Sequence, residues 1–206
     1  MTRGYWDKRA EKYSRSPIAD EAAYQKKLEI TRGYFRPDME VLEIGCGTGG
    51  TAILHAPHVR HITALDFSRS MLDIAEERAK AAGVGNVSFE VADIASYDVP
   101  DASYDMVMAM SLLHLLKEPE PVIGRIHGML KPGGYFISST ACLGDSMLRA
   151  LKYAGPVGRA VGLLPDVTVF GEADLVRMIE GQGFAIEHRW QPKKMAAVFV
   201  VARKAE

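Results

Sequence analysis

Cysteine is almost missing from the 206 residues: Cys46 and Cys142 are the whole complement. Two thiols with no C-x-x-C pair exclude a disulfide framework and a cysteine-based zinc site, and a reducing compartment is the expectation. No apolar run approaches the ~18 residues needed to cross a bilayer. Met1 to Arg15 is dense in Arg, Lys, Asp and Glu, unlike a secretory leader. An excess of one charge is lacking as well, with 25 basic against 26 acidic side chains. No global field therefore draws in a polyanion, and nucleic acid is disfavoured as a partner. Repeats and low-complexity linkers are absent. What remains is a chain able to bury one core unaided, expected to be a single cytoplasmic domain over 1–206.

What is present is organised around Val41-Leu42-Glu43-Ile44-Gly45-Cys46-Gly47-Thr48-Gly49-Gly50. A short apolar run ending in alternate glycines reads as a buried parallel strand followed by a sharp turn that brings backbone close to a ligand. The spacing differs from the dinucleotide fingerprint G-x-G-x-x-G. Glu43, two residues before the first glycine, would repel a diphosphate and attract a ligand with a cationic amino-acid end. NAD and ATP are therefore disfavoured. Further along, strands are predicted at 60–66, 86–92, 105–110, 135–139, 184–190 and 197–202, alternating with helices at 50–56, 68–82, about 120–130 and 172–182. Such alternation implies a doubly wound α/β sheet. Two short helices, 5–15 and 20–35, precede it as an N-terminal helical cap over 1–36. The Lys131-Pro132-Gly133-Gly134 tetrad reads as a turn into strand five.

Strand two ends in Asp66, roughly 20 residues beyond the glycine loop, where a carboxylate is placed to accept hydrogen bonds from both hydroxyls of a ribose. Ser68 supplies a helix cap of its own, which frees Asp66 from that duty. Asp93-Ile94 closes strand three in the same manner.

The E-x-G-x-G-x-G run after a strand resembles the first motif of the class I S-adenosylmethionine-dependent methyltransferases. That resemblance implies a mostly parallel seven-stranded sheet with helices on both faces and an antiparallel last strand. It implies S-adenosyl-L-methionine as cofactor, S-adenosyl-L-homocysteine as product and no metal. Carried over, Glu43 organises the amino-acid end, while Gly45, Gly47 and Gly49 pack against the methionine part, with Cys46 between them. Asp66 holds the ribose beside Phe67. Asp93 accepts from the adenine amino group next to Ile94, and Met71 pads the adenine face or simply packs the core. Trp6 and Tyr13, in a segment similar to the aromatic start of many small methyltransferases, fold over the sulfonium or merely anchor a helix. Met110, at the end of strand four, completes the implied set.

Methyl transfer from a sulfonium needs alignment and desolvation more than a base. His114, just past strand four, is the candidate base, weighed against a structural histidine in an apolar turn. His55, His58 and His61 straddle Pro57 and share no helical face, so a metal site is disfavoured there. Met110-Ser111-Leu112-Leu113 stands where enzymes methylating DNA amines show an Asp- or Asn-Pro-Pro-aromatic tetrad. A small organic acceptor methylated on oxygen or nitrogen is the leading expectation, and that acceptor can be apolar. A lipid-like or quinone-like acceptor comes second, and a catalytically silent cofactor-binding or scaffold protein is the reading from another class. Residues 143–168, with Met147, Leu148, Leu151, Leu163 and Leu164 set among three basic residues, read as a lid-like insertion without stable membrane association.

Overall fold

The computed structural model describes residues 3–145, 167–193 and 196–206. Three helices lead in: α1 (Arg3–Asp7), α2 (Ala10–Arg15) and α3 (Glu21–Arg32). The expected first helix is thus broken in two at Lys8-Arg9, where the Arg9 N–H turns back to the Trp6 carbonyl at 3.0 Å. This break lets Trp6 meet Tyr13 edge to face, with ring centroids 6.0 Å apart. Asp20 caps α3 by accepting from the Ala23 N–H at 3.0 Å.

The alternating core then runs β1 (Glu40–Ile44), α4 (Gly50–His55), β2 (His61–Asp66), α5 (Arg69–Ala81), β3 (Val87–Val91), β4 (Tyr104–Met110), α6 (Pro119–Met129) and β5 (Leu130–Thr140). It finishes with α7 (Glu172–Gly181), β6 (Phe184–Trp190) and β7 (Val198–Lys204). One seven-stranded sheet results, ordered β3-β2-β1-β4-β5-β7-β6. Its pairs are parallel except those of β7, which runs antiparallel to both β5 and β6.

The pleat sends alternate side chains to two cores. Leu42, Ile44, Val107, Ala109 and Phe136 face one side with residues of α6 and α7, including Ile123, Ile126, Leu175 and Ile179. Val41, Met106, Met108 and Ile137 face the other with Ala52 of α4 and Leu72 of α5. Burial on both faces explains why β1 and β4 read as continuous apolar runs.

Strand five differs from expectation. Tyr104 pairs with Leu130 and Met106 with Tyr135, so Lys131–Gly134 bulges out of a longer strand, with Gly133 at φ +72°. The lid predicted at 143–168 lies mostly outside the described residues, since 146–166 are not among them. At its described ends, the Gly144 N–H donates to the Phe170 carbonyl at 2.9 Å and the Thr168 N–H to the His114 carbonyl at 2.8 Å. Among the described residues no helix is long and apolar enough to cross a membrane.

Candidate active site

Connections reverse direction between β1 and β4: the chain leaves β1 toward β2 and β3, then returns to lie on its other side. The loops after β1 and β4 therefore diverge and open a crevice at the C-terminal edge of the sheet, where open α/β sheets bind ligands. In this crevice Gly45, Gly47 and Gly49 adopt φ of +67°, +55° and +74°. A Cβ on Gly45 would lie 2.7 Å from Leu112 Cδ1, and one on Gly49 would lie 2.8 Å from Ala75 Cβ. Close packing on the loop after β4 and on α5 thus demands glycine at both positions.

A carboxylate from each of two strands stands under the loop. Asp66 is 7% exposed; its Oδ2 accepts from the Gly47 N–H and its Oδ1 from the Ser68 N–H, each at 2.9 Å. Asp66 thereby shapes the glycine loop as well as facing it. Burial raises its carboxyl above the usual range against the opposing effect of those backbone donors. Glu43 is 2% exposed, and its Oε2 has no hydrogen-bond partner. Burial pushes it to about 8, with the Asp66 charge adding to the rise and the Ala52 N–H in the first turn of α4 opposing it.

A cavity of about 70 Å³ lies above this loop. Gly45, Gly47, Asp66 and Phe67 contribute its base, Met71 of α5 one wall, and Met110, Ser111, Leu112 and Leu115 the other. Trp6 and Tyr13 cover it from the cap. Burial and the nearby Asp66 and Glu43 charges raise the Tyr13 phenol above its ordinary value, although half of the residue is in solvent. Arg78 of α5 ties cap to loop: Nη2 donates to the Ser14 carbonyl at 2.6 Å and Nη1 to Thr48 Oγ1 at 2.7 Å. Ser68 Oγ donates to Asp7 Oδ1 at 2.5 Å. A larger open groove, about 860 Å³, lies outside the cap among residues such as Lys8, Lys12, Arg15 and Asp73. It contains neither the glycine loop nor Asp66, so the smaller cavity is the candidate site.

Residues 41–134 match the family model described as a methyltransferase domain. This stretch is a methyltransferase domain of the class I S-adenosylmethionine-dependent kind. The chain is 34% identical over 164 residues to phosphoethanolamine N-methyltransferase 1 of Arabidopsis thaliana, covering 76% of this chain and 32% of that protein. It is 30% identical over 100 residues to a ubiquinone biosynthesis O-methyltransferase of Coxiella burnetii, covering 48% and 42%. The crystal structure of YcgJ from Bacillus subtilis superposes with a TM-score of 0.74 at 16% identity over 88% of this chain and 99% of that one, a likeness of fold. The chain spans 26% to 44% of the length of the first curated relatives it matches.

Trp6, Tyr13, Gly45, Gly47, Asp66, Phe67, Met71 and Met110 come together around the cavity. Glu43 of β1 and Cys46 and Gly49 within the loop are buried and do not line the cavity. The Cys46 thiol, pushed up by burial first and by the two carboxylates second, is inert packing. Asp93 is exposed and closes a turn by accepting from the Ala95 N–H at 3.0 Å, while Ile94 is buried in the core. His114 is not in the cavity wall, although Leu112 and Leu115 are. Its Nδ1 is buried without a partner, and burial lowers the imidazole to about 4. A ring so depressed is neutral near pH 7 and a weak proton acceptor.

Sequence reasoning did not pick out Ser111, Leu112 and Leu115 as lining. Ser111 carries a signal only the backbone reveals, φ +62° on a non-glycine residue at the mouth of the site. The chain's residues fit the cofactor the family implies. Glu43 offers an unpartnered buried carboxyl oxygen to a cation, and the glycine cradle leaves no room for a Cβ at Gly45 or Gly49. Among the described residues no cluster of three or more His, Cys, Asp or Glu is placed to hold a metal ion.

Proposed function

We propose that this protein transfers a methyl group from S-adenosylmethionine to an oxygen or nitrogen of a small organic acceptor. The observation that carries this reading is the convergence, at the sheet's switch point, of an unpartnered Glu43 oxygen, the left-handed glycine loop and Asp66 beneath Trp6 and Tyr13. When bound, the cofactor supplies an activated methyl on a cationic sulfur. Glu43 compensates the cationic amino-acid end, Asp66 accepts from the ribose hydroxyls, and Phe67 and Met71 pack the adenosine. Asp93 and the backbone of Ile94, which lie outside the closed cavity, are assigned to the adenine edge in this reading. Trp6, Tyr13 and Met110 surround the sulfonium end and exclude water. Acceleration comes from alignment in this dry site, with no dedicated base, since His114 is a weak proton acceptor and does not line the cavity.

The 70 Å³ cavity is well below the ~300–1,000 Å³ typical of small-molecule sites, and in this reading the α1–α2 cap that covers it moves outward to admit the cofactor. A lipid-like or quinone-like acceptor is the second reading. The apolar wall of Leu112, Leu115 and Met110 favours it, as does the likeness to a ubiquinone biosynthesis enzyme.

Calorimetry with S-adenosylhomocysteine and with NAD tests the cofactor; tighter NAD binding refutes the reading. A metabolite screen for transfer of isotopically labelled methyl then identifies the acceptor. A water-soluble labelled product supports the first reading, and label only in the lipid extract moves the assignment to the second.

A further inference from the structure

Helix α3 lies on the face of the sheet that carries α4 and α5, with Ile30 packed against that core. At one point the Tyr24 hydroxyl lies 3.4 Å from Thr51 Oγ1, over the first turn of α4. One turn further along, on the same side of the helix, Lys27 Nζ donates to Ser139 Oγ at 2.8 Å. Ser139 is 1% exposed and pairs with Met110 in the β4–β5 ladder, and its carbonyl accepts from the Ser111 N–H at 2.8 Å. Met110 and Ser111 both line the cavity. The Lys27 ammonium therefore stands one strand beyond the cavity, on the opposite side of β4 from Glu43.

This cation is poorly compensated. Among the described residues no carboxylate lies within ion-pair distance of Lys27, and burial holds its ammonium below the usual range. Asp20, the acid that acts on it, spends Oδ1 on the Ala23 N–H at 3.0 Å and has Oδ2 3.3 Å from Lys193 Nζ. An ammonium has three donors, and among the described residues one is used, on a neutral hydroxyl. A partly buried ammonium with donors to spare and no carboxylate beside it is a place where an anion is favoured.

We propose that Lys27 and Ser139 receive an anionic group, a phosphate or a carboxylate, carried by the methyl acceptor. This rests on the methyl-transfer reading of the adjacent cavity and narrows it: the acceptor bears negative charge on the side remote from the methylated atom. Ser139, whose oxygen already accepts from Lys27, donates its own proton to the same oxyanion.

The test follows the Met110, Ser111 and Ser139 amides by NMR while glycerol 3-phosphate, acetate or uncharged glycerol is added, with and without S-adenosylhomocysteine. Saturable shifts with the anions and none with glycerol are expected. Anion binding should weaken at least about tenfold in Lys27→Met and persist in Lys27→Arg. Parallel titrations with phosphatidylglycerol and phosphatidylcholine vesicles separate the two sources of such an anion. Lys27-dependent shifts with soluble anions assign a free metabolite, and shifts confined to the anionic vesicles assign a lipid headgroup. Equal anion binding by wild type and Lys27→Met overturns the proposal, as does the absence of binding in every arm. Failure of S-adenosylhomocysteine to bind strikes the methyl-transfer reading instead, while Lys27-dependent anion binding stands by itself.

Discussion

Replacing Glu43 by Gln separates two consequences of burying a carboxyl with an unpartnered oxygen. Without ligand, the folded protein holds the Glu43 proton up to about pH 8, whereas the unfolded chain releases it near 4.5. A group raised on folding contributes stability that is present below its unfolded value and is lost as pH rises through its folded value. Ligand-free wild type should therefore lose stability between pH 4.5 and 8, with a ceiling of about 5 kcal/mol at ~1.4 kcal/mol per pH unit. Local relaxation brings the expected loss to a few kcal/mol. Glu43→Gln has no such titration, so it should equal wild type near pH 4.5 and exceed it at pH 8. Cofactor binding reverses the ranking. A cationic amino-acid end restores the carboxylate, so wild type at pH 7 should release about 0.9 proton per cofactor bound. Gln releases none from this position and should bind roughly 10–100-fold more weakly for loss of a charged partner. Denaturant melts across pH read the first effect, and calorimetry in buffers of different ionisation enthalpy reads the second. A buffer-independent enthalpy in wild type, together with parallel pH–stability curves for the two proteins, would refute the reasoning.

Asp66→Ala should weaken S-adenosylhomocysteine binding by about 1.5–3 kcal/mol, the scale of hydrogen bonds to a charged group, and should also lower the melting temperature because the Gly47 and Ser68 N–H groups lose their acceptor. Normal melting with normal binding would remove Asp66 from the site. Arg78→Ala detaches the cap, so hydrogen exchange should accelerate in residues 5–15 and cofactor dissociation should quicken by about tenfold. Unchanged exchange there would mean that α1 and α2 hold by their other contacts. His55 is fully buried against Phe35, has no partner on either ring nitrogen, and is lowered to about 3 by burial first and by the Arg32 and His58 charges second. Its contribution to stability is present above its ordinary value of 6.5 and is lost as pH falls toward 3, so His55→Phe should flatten that part of the acid-unfolding curve. An acid limb identical to wild type would exclude His55 as a cause of acid sensitivity.

The apolar runs of β1, β2 and β4, the cap residue Ser68 before α5 and the alternate glycines after Ile44 are local features, and local physics fixes what they become. A strand buried on both faces must read as a continuous apolar run, and a loop pressed against Leu112 and Ala75 must be glycine. For that reason the doubly wound architecture, the position of the crevice and the two carboxylates at it, Glu43 and Asp66, were legible in the amino-acid sequence. Other features were decided only when distant segments met. The 8–9 break in the cap follows from Trp6 and Tyr13 packing over the glycine loop, and the Arg78 tie joins residues 64 positions apart. The bulge at Lys131–Gly134 follows from the register between β4 and β5. His114 is a plausible base by its place after β4, yet in the turn at 113–115 it does not line the cavity that its neighbours line. Lys27 reads as one more charge in a mixed-charge helix until the fold sets it on Ser139, 112 residues away. Periodicity reports which face of an element is buried but carries nothing about which element covers it, and the partner of a side chain is settled by tertiary packing alone.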